Sequence, residues 1–372
     1  MKVMTLVGTR PEIIKLSAVI QELDRSVGHV LVHTGQNYDY ELNQIFFEGL
    51  GLRRPDHFLE VAGASVAETI ANVIARSDAV MEKERPDAFL LLGDTNSCLA
   101  VIVAKRRKIP IFHMEAGNRC FDDRVPEEVN RRIVDHTSDI NLPYTEHARR
   151  YLLAEGLRPE TVIKTGSPMK QVLAAQRESI EQSRVLEQLG LEQGRYFIVS
   201  SHREENVDVE RRFGELLEAL TQVRQRFGLR VIVSTHPRTR ARLEGLPGGA
   251  PSGIDFLKPL GFADYVHLQK KAFCVLSDSG TLTEESSLLG FPAVMLREAH
   301  ERPEGMDEGT LIMSGTRPSS VLEAIDVITK RFARAGRTSR VAPDYDVDDV
   351  AAKVVNVILS YTDYVNRTVW HK

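Results

Sequence analysis

Residues 113–136, HMEAGNRCFDDRVPEEVNRRIVDH, hold six acidic groups, two histidines and four arginines. Such density suits a solvated surface, or a site that must keep several proton carriers close together. The second half has a ready structural account. Pro126 stands at a first helical position, and Glu127 and Glu128 sit beside the positive end of the helix dipole. Glu127 with Arg131 and Glu128 with Arg132 have i,i+4 spacing, worth ~0.2–0.5 kcal/mol per pair on an exposed helix. Glu115 escapes that account. It ends the apolar run IPIFHME (109–115), where a carboxylate is aimed at a ligand or needs a partner.

Other apolar runs end in turns just as loaded. The run at 2–8 leads into Thr9, Arg10, Pro11 and Glu12, with Lys15 following, and the run at 88–94 into Asp94, Thr95, Asn96 and Ser97. Two later runs end in Ser201-His202-Arg203-Glu204-Glu205 and Thr235-His236-Pro237-Arg238. Another opens a helix through Ser277-Asp278-Ser279-Gly280-Thr281. Each alone is ordinary capping chemistry, since Asp, Ser and Thr satisfy free helix N–H groups. Ser279 and Gly280 at a helix start also make an anion site. His202 and His236, from neighbouring strand ends, point together toward ligand contact. Six such turns at the same edge of two facing sheets exceed what turn chemistry alone supplies. A metal site is not expected: His113-Met114-Glu115 has the H-x-E of zinc deaminases, but no P-C-x-x-C follows and no H-E-x-x-H is present.

The elements that must position these turns are short β-branched runs alternating with amphipathic stretches. The first half offers 2–8, 29–35, 88–94, 109–115 and 162–167; the second offers 196–202, 230–236, 254–259, 273–279 and 292–298. Near-continuous apolar strands separated by helices form parallel sheets covered on both faces. We expect an α/β protein of two Rossmann-like doubly wound domains facing across a cleft, with ligands at the carboxyl ends of the strands. The polar stretch 170–195 marks the join, giving an N-terminal domain over 1–170 and a nucleotide-binding domain over 171–350. Residues 351–372 read as a helix packing back on the first domain.

Composition agrees. The 372 residues are 42% hydrophobic and 27% charged, the balance of a soluble globular protein. A net charge of −4 with scattered Lys and Arg argues against nucleic-acid binding. Three widely spaced cysteines suggest reduced thiols in the cytoplasm. No signal peptide and no membrane span are expected.

Taken in order, GTRPEIIK (8–15), HTGQ (33–36), GDTNS (93–97), HMEAG (113–117), PEEVNRR (126–132), TGSP (165–168), SHREE (201–205), DSGTLTEE (278–285) and ERPE (301–304) resemble the non-hydrolysing UDP-N-acetylglucosamine 2-epimerase family over nearly the whole chain. The resemblance implies a GT-B-like pair of domains, a homodimer, and a reaction needing neither redox cofactor nor catalytic metal. UDP is eliminated across C1–C2 of a UDP-activated N-acetyl amino sugar and added back with the C2 proton on the other face. By motif the catalytic acids fall on Asp94, Glu115 and Glu127, with base and acid unassigned among them, and His202 counts with them as catalytic. Arg10, Lys15, Arg131 and His202 match positions at the diphosphate and sugar; Ser279 and Gly280 match the phosphate site, Glu285 the ribose, Tyr265 the uracil, and Arg302 the sugar–phosphate pocket.

Two stretches depart from the usual pattern. EAGNRCFDDR (115–124) replaces EAGLRT and DSGTLTEE replaces DSGGIQEE. They look more like the branch that converts UDP-2-acetamido-2,6-dideoxy-L-talose to UDP-N-acetyl-L-fucosamine for surface polysaccharide, which becomes the leading expectation over UDP-GlcNAc/UDP-ManNAc epimerisation. HTGQNYDYELNQ (33–44) also departs, where some relatives bind an activating second UDP-GlcNAc. A GT-B glycosyltransferase would share the UDP site but has no use for three acids around C2. A non-catalytic nucleotide-sugar-binding module gains nothing from acids beside an anionic ligand. A hydrolysing epimerase differs only in releasing free sugar.

Overall fold

The computed structural model describes residues 1–36, 46–235, 237–246 and 249–372. The chain forms two units, residues 1–175 with 344–372, and residues 176–343. In the first unit the strands β1 (Lys2–Val7), β2 (Gly28–His33), β3 (His57–Phe58), β4 (Ala88–Leu92), β5 (Ile111–Met114) and β6 (Ile140–Leu142) form one sheet in the order β3-β2-β1-β4-β5-β6. In the second, β7 (Tyr196–Ser200), β8 (Arg230–Ser234), β9 (Ile254–Leu257), β10 (Cys274–Ser277), β11 (Ala293–Met295) and β12 (Ile312–Met313) lie in the order β12-β11-β10-β7-β8-β9. All the pairings are parallel. Counted from its own first strand, each sheet has the order 3-2-1-4-5-6 of doubly wound dinucleotide-binding folds. The expected fold class is therefore found in each unit.

The cause is visible in strand composition. In the second sheet Phe197, Val199, Val231, Val233 and Leu276 pack into one buried cluster, while Tyr196, Ile198, Ile232, Val275 and Met295 pack into another. Successive residues of a strand face opposite sides, so apolar residues at every position require cover on both faces. The amphipathic helices Glu210–Phe227 and Pro318–Ala335 supply part of the first cover through Phe213, Leu216, Leu220, Ile325 and Ile328. Between β1 and β4, and between β7 and β10, the strand order reverses. Ligands of such sheets bind in the crevice that this reversal opens beyond the carboxyl ends.

Four elements differ from expectation. The edge strands β3 and β12 have two residues each and β6 has three, too few to show a period. The run expected at 162–167 makes only one bridge, Asn141 to Val162. Beyond it Gly166 adopts φ +87 with Val347 packed on its Cα, and Ser167 N–H donates to the Asp344 carbonyl, so the segment receives the returning chain instead of extending the sheet. Asp344 also accepts Glu146 N–H at 2.9 Å and Lys164 Nζ at 2.7 Å.

The helix Val350–Thr368 then packs against the helix Arg10–Ser26. Among the described residues no helix is long and apolar enough to cross a membrane. Ile358 lies fully buried on that last helix. Ile358→Ala should cost about 2–5 kcal/mol in urea unfolding. A loss below about 1 kcal/mol would mean the helix contributes little to its unit.

Candidate active site

The expected residues of the first unit collect at the carboxyl ends of β1, β4 and β5. After β1, Thr9 caps the helix Arg10–Ser26, and Glu12 closes a capping box at the third helical position. The Glu12 carboxylate accepts Gly8 N–H, Thr9 N–H at 3.0 Å and Thr95 Oγ1–H at 2.7 Å, linking the turn after β1 to that after β4. Gly8 tolerates no side chain: a Cβ would lie 2.1 Å from Ser97 Oγ and 2.4 Å from Thr34 Oγ1. Burial pushes the Glu12 carboxyl up to about 7 against the lowering bonds from Thr95, Gly8 and Thr9, with the Asp94 charge adding to the rise.

Lys15, buried one turn on, places Nζ 2.5 Å from Glu115 Oε2 and 5.6 Å from the Tyr144 ring centre. Arg10 lies with its guanidinium 5.6 Å from the Phe46 ring centre. Glu115 has φ +62, a left-handed conformation that is uncommon for a residue with a side chain and marks stored strain. Gly117, two residues on, has φ +79, and a Cβ there would meet the Ala148 carbonyl oxygen at 2.5 Å.

Asp94 is fixed by Arg131, whose Nε and Nη2 lie 2.9 and 2.5 Å from Oδ2. Asn130 donates to the Asp94 carbonyl at 3.1 Å. Arg131, expected opposite Glu127, instead reaches Asp94 and, through Nη1 at 2.6 Å, Glu128. Glu127 is half-buried on the same helix, Pro126–Thr137. Glu128 corrects the exposed-pair reading: it is fully buried, and Arg132 contacts it at 3.3 Å. It accepts Cys120 N–H at 3.1 Å and Phe121 N–H at 3.3 Å. An acid near a helix start can serve the orphan N–H groups of the incoming loop, and that need outweighs an exposed ion pair.

In the second unit the turns after β7 and β10 meet at Asp278. Its buried carboxylate accepts Ser201 Oγ–H at 2.7 Å, His202 N–H at 3.0 Å, Arg203 N–H at 3.1 Å and Asn206 Nδ2–H at 3.1 Å. His202 Nδ1 stands 3.3 Å from Oδ1. Burial opposes the charge, yet His202, the Ser201 hydroxyl and Arg203 hold the carboxyl below its ordinary range. Ser279 and Gly280 precede the helix Thr281–Leu289, and Ser279 Oγ lies 3.0 Å from Thr281 Oγ1.

Glu285, at the expected ribose position, accepts Gln269 Nε2–H at 2.7 Å. Burial first, then the Glu285 charge, raises the Tyr265 phenol. Arg302 lies buried with Nη2 3.4 Å from Glu284 Oε2. His236 and most of the segment 33–44 lie outside the described residues.

Three carboxylates in these networks, Glu12, Glu128 and Asp278, are absent from the residues expected to act. Only Glu12 carries a local signal, the T-x-x-E of a capping box.

The profile of the family described as UDP-N-acetylglucosamine 2-epimerase matches residues 21–359. The UDP-N-acetylglucosamine 2-epimerase of Methanocaldococcus jannaschii is 33% identical over 340 residues, covering 89% of this chain and 93% of its own. A UDP-2,3-diacetamido-2,3-dideoxy-D-glucuronate 2-epimerase of Pseudomonas aeruginosa is 32% identical, covering 87% of this chain and 91% of its own. Among solved structures, UDP-N-acetylglucosamine 2-epimerase from Rickettsia bellii superposes with a TM-score of 0.92 at 54% identity, covering 100% of both chains. The M. jannaschii enzyme in complex with UDP-GlcNAc and UDP superposes with 0.88 at 30% identity, covering 97% of this chain and 100% of that one.

Glu12 yields a pH test. Its folded value of about 7 stands above the ordinary 4.5, so the folded state favours the proton. That contribution is complete below pH 4.5 and is lost as pH rises through 7. Glu12→Gln copies the neutral acid, accepting the backbone N–H groups and donating to Thr95. Urea unfolding between pH 5 and 8 should show a steeper fall in wild-type stability than in the variant; parallel curves would contradict the assignment.

Proposed function

The chain belongs to the UDP-N-acetylglucosamine 2-epimerase family, a family of isomerases, and on that premise we propose that it inverts C2 of UDP-GlcNAc, giving UDP-ManNAc, by eliminating and re-adding UDP. The observation that carries this reading is the pair of charge-held carboxylates at adjacent strand ends: Glu115 on Lys15 and Asp94 on Arg131. C2–H is a weak acid, so a positioned base must take its proton. As the C2–H bond breaks, its electron pair forms the C1–C2 double bond, and the C1–O bond breaks with its pair passing to the β-phosphate oxygen. Re-addition reverses these changes with a proton delivered to the opposite face, so two carriers are required. Asp94, Glu115 and Glu127 are the candidates, with the roles interchangeable between forward and reverse directions.

Arg10 and Lys15 supply cationic stabilisation for the growing charge on the diphosphate, and the Ser279–Gly280 helix start supplies N–H groups. We assign His202 and His236 to the substrate, Tyr265 to the uracil, Glu285 to the ribose hydroxyls and Arg302 to the sugar–phosphate contact. The product would serve surface-polysaccharide assembly.

The substrate choice reverses the order favoured by sequence. The names of the M. jannaschii and R. bellii proteins support UDP-GlcNAc. Arg119, in the segment that suggested a 6-deoxy sugar, is turned inward: Nη1 lies 2.7 Å from Asp135, and Nε and Nη2 lie 2.8 and 2.7 Å from Glu155. UDP-2-acetamido-2,6-dideoxy-L-talose remains the second reading because Asn118 of that segment stands 3.5 Å from Glu115 Oε1.

Proton NMR of the protein with each UDP-sugar in deuterated water tests both. Deuterium should enter C2 of UDP-GlcNAc; entry into the talose substrate alone would transfer the assignment to the 6-deoxy sugar. Glu115→Gln should lower exchange by about 10²–10⁴-fold while UDP still binds, as expected for a lost proton carrier. Unchanged exchange would remove Glu115 from the chemistry.

A further inference from the structure

The helix Pro126–Thr137 carries, one turn beyond Arg131, a further acid that the scheme above does not use. Asp135 is fully buried. Both its oxygens accept Gly117 N–H at 3.2 Å, and Oδ2 accepts Arg119 Nη1–H at 2.7 Å. His113 Nδ1 stands 3.0 Å from Oδ1, and the same buried ring places Nε2 2.8 Å from the Gly93 carbonyl oxygen. Gly117 follows Glu115 by two residues, and Gly93 immediately precedes Asp94. One carboxylate thus touches the turn after β5 directly and the turn after β4 through one imidazole.

Both turns need such a hold. Glu115 sits at φ +62, a strained conformation that persists only where its surroundings over-determine it. The bonds to Gly117 N–H fix the backbone two residues beyond the strained position. The arrangement is expensive, since a buried carboxylate demands compensation. Arg119 provides it and is itself shared with Glu155. Burial works against the Asp135 charge, but the neighbouring His113 ring and the Arg119 guanidinium hold the carboxyl below its usual range.

We propose that Asp135 is a positioning residue for the epimerisation, holding the Glu115 turn through Gly117 and the Asp94 turn through His113 so that the two acids keep a fixed separation. This rests on the reading of Asp94 and Glu115 as proton carriers. A group of this kind touches no substrate. Its loss should lower kcat while leaving KM and UDP affinity alone, because a misplacement near 1 Å can cost about 10²-fold in rate.

Three variants test it. Asp135→Asn removes the charge at constant shape. The double variant Asp135→Asn/Arg119→Met also removes the guanidinium, so no unpaired buried charge remains. His113→Phe keeps the Asp135–Arg119 pair intact, filling the ring's space without its nitrogens. With UDP-GlcNAc and UDP-2-acetamido-2,6-dideoxy-L-talose as probes, kcat for C2 exchange, KM, UDP Kd and Tm are measured. The proposal expects kcat to fall about 10- to 100-fold in the folded variants, His113→Phe included, with KM and UDP Kd within about twofold. It is overturned if His113→Phe keeps wild-type kcat, or if kcat, KM and UDP Kd degrade together in step with Tm. Wild-type protein that exchanges C2 of neither sugar would sink the proton-carrier reading and this one with it. Wild-type exchange with undiminished variants would sink this one alone.

Discussion

Everything functional in both units hangs on one topological constraint, the reversal of strand order beside each unit's first strand. Parallel strands β1 and β4, like β7 and β10, are neighbours whose following helices depart to opposite faces. No helix can cover the gap that this leaves at the carboxyl ends, so the turns bordering it stay available to a ligand. The sequence loads those turns: Gly8 to Glu12 and Gly93 to Ser97 in one unit, Ser201 to Arg203 and Asp278 to Gly280 in the other. Gly8 is obligatory there because the β1 turn passes against the Ser97 and Thr34 hydroxyls.

The second constraint is electrostatic. A carboxylate removed from water is costly unless it is paired and hydrogen-bonded, and these sites hold several. Each is met differently. Asp94 and Glu128 share Arg131; Glu115 meets Lys15; Asp278 gathers backbone and side-chain donors from the β7 turn. Among the described residues the donors to Glu12 are uncharged, and burial makes it favour its proton. The helix Pro126–Thr137 does much of this work from a single face, because Glu128, Arg131 and Asp135 recur at helical spacing. An element that reads as a charge-paired surface helix is, on that face, a buried polar brace.

What the sequence discloses follows from these two constraints. Strands buried on both faces announce themselves, since every residue from Val3 to Val7 or from Tyr196 to Val199 must be compatible with a core. The two- and three-residue edge strands have no period to detect, and 162–167 had strand composition but a glycine at positive φ where the chain returns. The chemical turns were legible by residue type. Their internal wiring was not, because the partners of Asp278 and Asp94 lie 36 to 77 positions away in sequence. Glu128 and Arg132 have surface-pair spacing, yet burial decides their roles. Arg119 shows the converse: it lies in the segment whose departures suggested a changed sugar pocket, while its own side chain serves Asp135 and Glu155.

The central claim is that C1–O cleavage accompanies C2 proton transfer, with UDP free to turn while it is bound. The direct test is positional isotope exchange on UDP-GlcNAc carrying oxygen-18 in the bridge between C1 and the β-phosphorus, followed by phosphorus NMR. Elimination and re-addition predict that the label moves from the bridge into the non-bridging β-phosphate oxygens as C2 inverts. Inversion at C2 with the label still wholly in the bridge would contradict the account.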